Sequence, residues 1–269
     1  INHVVFPEVY GEWKFEDSLI KNHFFRTLVF VPAVQFEPDT DYQINLKNIT
    51  SAFDIGGNSN FSFSFKTQLN NAKTQNELTL IKIPFDWQDY PLSCEAASLK
   101  MALSSKGINV SEDEIMEKIG FDKTPHKGDI WGNPYIAFVG DINGKICSTG
   151  YGVYAEPVSK AANYWRPTEY FSGWRLEQLI KEIQQGNPVI VWGVIPTGKL
   201  TDCSWWTKDD QYIKAFKETH VRLAVGFIGS PENPSKIIMK DPLQGDIYWS
   251  VSDFLTNWEK FGNSGIVIK

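Results

Sequence analysis

Between residues 68 and 77 the chain reads "QLNNAKTQNE", polar and without apolar periodicity, and the hydrophobic period differs on its two sides. Before it, "TLVFVPAVQF", "DYQINLKNI" and "FSFSFKT" alternate in steps of two and are separated by the turn-rich "EPDT" and "FDIGGNSN". That pattern predicts a small antiparallel β-sandwich. After it, helical runs precede strand runs, the order of an α+β domain. Helices are predicted over 94–105, closed by Gly107; over "SEDEIMEKIG", with a Ser111-x-x-Glu114 capping box and an end at Gly120; and over "GWRLEQLIKEIQQG", ending at Gly186. Strands are predicted in "PVIVWGVI", "HVRLAVGFIG", "SKIIMKD" and "GIVIK". A polar segment between two such patterns is a linker. The boundary is therefore placed near Leu69, with the β-sandwich at 1–69 and the α+β domain at 70–269.

The second part holds one chemically suggestive stretch, "WQDYPLSCEAASLKMAL", in which Cys94 opens the first helix. A thiol there meets unpaired N–H groups and the positive end of the helix dipole, both of which favour thiolate. A thiolate needs a partner that cycles protons near neutrality, and imidazole is the usual one. Of the four histidines, His3 and His23 belong to the β-sandwich, His126 lies in a loop, and His220 opens the strand "HVRLAVGF". His220 is the better-held base. Asp241 ends the next predicted strand and is followed by a proline that stops the ladder. If the two strands are antiparallel neighbours, His220 and Asp241 share one edge, where the carboxylate can orient the imidazole. Gln88, six positions before Cys94, supplies an amide able to fold back as an oxyanion donor beside the Cys94 backbone N–H. The competing readings are a satisfied strand-end histidine and an Asp-Pro pair that merely begins a turn.

Composition excludes several classes. A net charge of −6 gives no basic footprint for nucleic acid or an anionic membrane surface. No stretch of about 18 apolar residues is present, so no membrane-spanning segment is expected. Three cysteines are too few for a disulfide framework and lack zinc-site spacing, and Cys94, His220 and Asp241 lack a second histidine, so neither metal nor other cofactor is expected. The chain opens at Ile1 rather than methionine, from which removal of an export signal or anchor is expected, with a secreted or cell-surface location. In such a setting the odd count suits a Cys147–Cys203 bridge with Cys94 free. From His126 to Trp165 the chain is rich in Gly and aromatics and poor in periodicity, and loops of that length usually build a site. Trp131, Tyr151 and the aromatic pair of "DCSWWTKDD" are read either as cleft or lid residues or as core.

Two resemblances follow from these residues. "FVPAVQFEPDTDYQINLKNITSAFDIGGNSNFSFSFKT" resembles the bacterial immunoglobulin-like domains of the surface-layer-protein type, through its Phe-x-Pro, its Pro-x-Thr-x-Tyr turn and its closing Phe-Ser-Phe-x-Thr. Such sandwiches usually run to about 100 residues, so an edge strand is expected to be absent. From Ile81 to the C-terminus, Gln88 with "SCEAASLKMAL", then "HVRLAVGF", then "KDPLQGDIYWSVSDFLTNW", together with "GDIWGNPYIAFVGD" and "GYGVYAEPV", resemble papain-like cysteine peptidases. The likeness is greatest to the bacterial family-thirty-nine-like branch, which is related to bacteriocin-processing double-glycine peptidases.

This second resemblance implies a papain-like fold and makes Cys94 the nucleophile, His220 the general base and acid, Asp241 the orienting residue and Gln88 an oxyanion donor. The partner it implies is a peptide or protein substrate, and attachment to a cell surface fits the first module. Many relatives carry Gly-Pro after the cysteine, where this chain has Glu95-Ala96, and a carboxylate adjacent to the thiol raises its pKa. No GxxxxGK[ST] is present, so coupling to a transporter has no support. An amidase or acyltransferase using the same residues, and a non-catalytic surface-binding protein with a degenerate peptidase domain, are the alternatives.

Overall fold

The computed structural model describes residues 2–6, 11–20, 23–32, 36–37, 39–49, 59–67, 78–196 and 198–269. The chain divides into two compact units, Ile1–Lys73 and Thr74–Lys269. The polar stretch 68–77 lies outside the described residues.

The first unit contains only strands among its described elements: β1 (Asn2–Phe6), β2 (Gly11–Ile20), β3 (His23–Pro32), β4 (Asp41–Ile49) and β5 (Ser59–Lys66). β1, β4 and β5 form an antiparallel sheet in that order, and β2 and β3 form a hairpin. Tyr42 and Ile44 are buried against Phe30, Phe36, Leu46 and Phe65. Alternation along β4 places Tyr42, Ile44 and Leu46 on one side, as a strand with a single apolar face requires. The prediction of a two-layer sandwich falls partly on residues outside the described set.

The second unit contains β6 (Leu78–Leu80), α1 (Cys94–Ser104), α2 (Glu112–Ile119), the short pair β7 (Phe121–Asp122) and β8 (Phe138–Val139), α3 (Ala155–Ala162), β9 (Thr168–Phe171) and α4 (Leu176–Gln184). It continues with β10 (Val189–Val194), β11 (Trp205–Trp206), β12 (Tyr212–Ile213), β13 (Thr219–Ser230), β14 (Asn233–Asp241), β15 (Gly245–Ser250), α5 (Val251–Trp258) and β16 (Gly265–Ile268). The main sheet runs β15-β14-β13-β10-β16-β9, every neighbour antiparallel, with β6 paired to the far half of β13.

Every residue of β10 is buried, which accounts for its unbroken apolar run: both faces of this strand are covered. On one face Ile190, Trp192, Val221, Leu223 and Val225 pack against Leu99, Met101, Leu103 and Ile115 of α1 and α2 and Val158 of α3. On the other, Val189, Val191, Ala224 and Met239 pack against Leu179 and Ile183 of α4 and Phe254 and Trp258 of α5. Layers of helices on both faces of an antiparallel sheet make this a mixed α/β unit, and α1 is buried almost all round between the sheet and its neighbouring helices. The Ser111 capping box forms, with Glu114 N donating to Ser111 Oγ at 3.2 Å and Ser111 N to Glu114 Oε2 at 2.8 Å.

One expectation is corrected. The long Gly- and aromatic-rich region contains α3, whose "AEPVSKAA" has a proline in its first turn, where the missing N–H costs nothing. Its buried residues are Ala, Pro, Val and Ser, too small to stand out as a hydrophobic stripe.

Candidate active site

The loop leading to Cys94 is held by its own polar groups. Tyr90 N donates to Ser93 Oγ at 3.1 Å, Asp89 N donates to Glu112 Oε1 at 3.0 Å, and Leu92 N donates to the Ile142 carbonyl at 3.1 Å. α1 then starts at Cys94 without a side-chain cap, so its first N–H groups are left near the thiol.

β13 and β14 are antiparallel neighbours, with Leu223 opposite Lys240, so the start of one and the end of the other meet at the same edge. There His220 Nε2 lies 2.8 Å from Asp241 Oδ1. The nitrogen that faces a carboxylate carries the hydrogen, which leaves Nδ1 as the free base. Asp241 also accepts from Leu243 N at 2.8 Å and from Arg222 Nε at 2.7 Å. Arg222 further donates to the Val194 carbonyl and lies with its guanidinium carbon 4.6 Å from the centre of the Trp249 ring. His220 is only 2% exposed and Asp241 is fully buried.

After Asp241 the chain turns away at Pro242, and the recorded pairing of β14 with β13 stops short of Val221. The backbone N–H of Val221 lies close enough to the Cys94 sulfur to favour its thiolate form. The nucleophile candidate therefore sits beside the amide that immediately follows His220. Gln88 joins the same edge through its backbone, donating to the Pro242 carbonyl at 3.2 Å. Its side-chain amide is otherwise engaged: Nε2 donates to the Tyr90 carbonyl at 2.7 Å and the Pro91 carbonyl at 3.0 Å. Both amide hydrogens are used within the loop, and an oxyanion role requires one of these bonds to be exchanged for one to substrate.

The charge states differ from those a bare helix N-terminus would set. Burial pushes the Cys94 thiol well above its ordinary range and Glu95 pushes it further, against the Val221 N–H, so the thiol is protonated near neutrality. The helix dipole does not prevail, because the sulfur is half-buried and has a carboxylate against it. Burial lowers the His220 pKa and the positive charge of Arg222 adds to this, against the bond to Asp241, so the imidazole is neutral. Burial opposes ionisation of Asp241, but its bonds to His220, Arg222 and Leu243 keep its pKa below the usual carboxylate range.

The effect of Glu95 on the thiol follows from its place beside Cys94, whereas Arg222 has no role assigned from the sequence, although both leave a trace there. Arg222 is a lone charge inside the apolar strand "HVRLAVGF", and Glu95 is a charge at the start of a helix that is otherwise buried. Tyr151 is buried with its hydroxyl 3.0 Å from Thr219 Oγ1, the residue before His220. His126 stacks on Trp131 with ring centres 4.1 Å apart and contacts the Ser148 carbonyl. Both line an open cleft of about 640 Å³ with Phe121, Pro125, Ile142 and Thr149. Because Ile142 is also the residue that holds Leu92, this cleft adjoins the loop before Cys94. Trp205 is buried and donates to the Gly132 carbonyl at 2.7 Å, whereas its neighbour Trp206 is exposed. Cys147 and Cys203 form a disulfide and Cys94 is free. Among the described residues, no three His, Cys, Asp or Glu side chains gather as a metal site would need, and no helix is long and apolar enough to cross a membrane.

Residues 66–266 match the model of the Peptidase C39 like family. The chain belongs to that family. Among curated relatives it is similar to the uncharacterised protein YvpB of Bacillus subtilis strain 168, with 24% identity over 183 residues, 65% of this chain and 68% of the relative. Among solved structures it is similar to a Bacillus anthracis protein described as a C39-like peptidase, with TM-score 0.61 and 23% identity, covering 72% of this chain and 98% of that one. A double glycine motif protease from an AMS/PCAT transporter, solved with its leader peptide, matches more loosely, with TM-score 0.40 and 16% identity over 71% of this chain and 94% of that one. At these identities the B. anthracis likeness establishes the shared fold, and the family match points to a peptidase.

Proposed function

We propose that Thr74–Lys269 is a cysteine peptidase that hydrolyses peptide bonds through an acyl-enzyme, with Cys94 as nucleophile, His220 as proton carrier, Asp241 as its orienting partner and Gln88 as an oxyanion donor. The observation that supports this reading is the hydrogen bond between His220 Nε2 and Asp241 Oδ1 at 2.8 Å, at an edge where the Val221 backbone and the Asp241 charge both act on the Cys94 thiol. In acylation the imidazole of His220 takes the S–H proton as sulfur bonds to the acyl carbon, and the imidazolium then gives that proton to the departing amine. Water then adds with His220 as base, and the C–S bond breaks to release the acid. The cleft beside Leu92 supplies an apolar wall, with Trp131 and Ile142, for a substrate side chain.

A second reading, a binding protein with a silent peptidase domain, draws support from the protonated thiol and the buried imidazole. One experiment separates the two: the protein and its Cys94→Ala variant are each incubated with a diverse peptide mixture, and new termini are read by mass spectrometry. Cleavage by the wild type that is lost in the variant supports the peptidase. Equal peptide binding by both proteins without new termini refutes it.

We further infer an extracellular setting, which the Cys147–Cys203 bridge supports because such bonds persist in oxidising compartments. The first unit is read as an immunoglobulin-like module that attaches the enzyme to a surface, a reading supported by its antiparallel strands.

A further inference from the structure

The open cleft beside the loop before Cys94 contains an aromatic step that the chemistry of the thiol does not use. The His126 ring lies flat on Trp131, with ring centres 4.1 Å apart and planes 2° from parallel. Trp131 is only 2% exposed, whereas His126 is exposed. One face of the imidazole therefore covers the indole, and the other is open to the cleft. Nδ1 lies 3.1 Å from the Ser148 carbonyl, which can only accept, so Nδ1 carries the hydrogen and the ring is held at its edge as well as its face. Beneath it Trp131 packs on Trp205, with ring centres 5.1 Å apart.

The wall formed by residues 140–149 is built in advance. Asp141 N donates to the Thr149 carbonyl at 2.9 Å, and the Cys147–Cys203 bridge ties this loop to the segment before Trp205. Gly140 has φ +80, and a Cβ there would collide with the Thr149 carbonyl, so only glycine lets the two sides of the loop close. The same wall leads to the thiol. From Thr149, three residues reach Gly152, where a Cβ would lie 2.5 Å from Glu95 Oε1, and Glu95 Oε2 is 3.3 Å from the Cys94 sulfur. Ile142 accepts from Leu92 N at 3.1 Å, two residues before Cys94. A chain spans at most about 3.6 Å per residue, so an extended peptide joins cleft and thiol with about four residues.

From this geometry we infer that the cleft is a specificity pocket for an aromatic side chain of the peptide substrate, within about four residues of the bond that Cys94 attacks, and that His126 is its specificity-determining residue. This inference rests on the peptidase reading and deepens it by naming a substrate class. A flat, open ring face favours a flat partner. An aliphatic side chain gains contact area with Pro125 and Ile142, whereas an aromatic one gains that area and a stacked or edge-to-face contact with the imidazole. Lys123 also lines the cleft and favours an acidic side chain instead, which makes the choice between aromatic and acidic residues the point on which the inference turns.

The test aligns the peptides cleaved by the wild type on their new termini and then compares kcat/KM for paired peptides with H126A and H126F. An aromatic residue is expected at one fixed position within about four of the cut. The aromatic-to-alanine ratio of kcat/KM at that position should fall about threefold to tenfold in H126A and be kept in H126F, whose ring preserves the flat face. Cleavage with no preference there, a preference for acidic residues, or an unchanged ratio in H126A would overturn the inference and leave the peptidase reading intact. A second readout needs no turnover: N-acetyl-phenylalanine amide and N-acetyl-leucine amide are titrated into the wild type while the imidazole signals of His126 are followed by NMR. The phenylalanine probe is expected to shift these signals and to bind several-fold more tightly than the leucine probe. Equal affinities, or no shift with either, would equally overturn the pocket. A protein whose His126 takes the phenylalanine probe but which cleaves no peptide keeps the aromatic pocket and refutes the peptidase reading alone.

Discussion

Arg222→Met tests whether the His220–Asp241 edge depends on a buried cation. Asp241 is fully buried and its Oδ2 is held by Arg222 Nε at 2.7 Å, while His220, which is neutral, and Leu243 N hold Oδ1. Removing the guanidinium strands a buried carboxylate beside neutral donors, which costs about 3–5 kcal/mol. Against this, Arg222 Nη2 is buried without a partner, and methionine removes that penalty of about 1–3 kcal/mol. Methionine also keeps a contact with the Trp249 ring that roughly replaces the cation–π contact. The net expectation is a loss of roughly 2 kcal/mol at neutral pH.

The pH dependence gives the sign. The depressed Asp241 pKa contributes stability above the unfolded value of about 3.9, and this is lost as pH falls through the folded pKa. In Arg222→Met the folded pKa rises, so the deficit should be largest near pH 7 and shrink towards pH 4. Urea unfolding followed by tryptophan fluorescence measures it, since of the 10 tryptophans only Trp13 lies outside Thr74–Lys269. The double variant R222M/D241N, with both charges removed, should recover most of the loss. A single variant as stable as the wild type at pH 7, or a loss that neither varies with pH nor recovers in the double variant, would refute the reasoning.

Two further outcomes follow from the same interior. Burial raises the Glu112 pKa to about 7, against the nearby Ser93 hydroxyl and the bond from Asp89 N, so the native state holds a proton that the unfolded chain loses near pH 4.3. Stability should therefore fall between about pH 4.3 and 7, by on the order of 3 kcal/mol from this residue, and stay level above. E112Q should show a shallower slope in urea midpoints, and identical slopes would count against a buried, protonated Glu112. The Cys147–Cys203 bridge closes a sequence separation of 56. Replacing both cysteines by serine should cost about 2–4 kcal/mol, measured by the same unfolding with reductant absent.

How much of this was legible beforehand depends on the range of each cause. β10 and β13 stand out because burial on both faces forces apolar runs, and α2 because its capping box is a local device. The meeting of His220 and Asp241 needs only two adjacent antiparallel strands, so it follows from order along the chain. α3 escapes notice because Ala and Pro pack closely without a strong hydrophobic stripe. The orientation of the Gln88 amide is not legible for another reason: whether it turns to Tyr90 and Pro91 or to a substrate is a contest between hydrogen bonds that spacing does not reveal.

The protonation of the thiol is legible in part: Glu95 next to Cys94 raises the thiol pKa from within the sequence, whereas burial, the larger cause, does not show there. The dipole argument concerns the first turn of α1 and is local, whereas burial and the fixed carboxyl of Glu95 arise from β13 and the Gly152–Val153 backbone arriving from elsewhere. In such a site, sequence locates the reactive atoms, and tertiary contacts decide where their protons reside. For that reason a charge in an apolar run, such as Arg222 in "HVRLAVGF", is the most useful early warning. A charge that burial should have excluded is retained only where a partner of opposite sign is buried with it, and here that partner is Asp241.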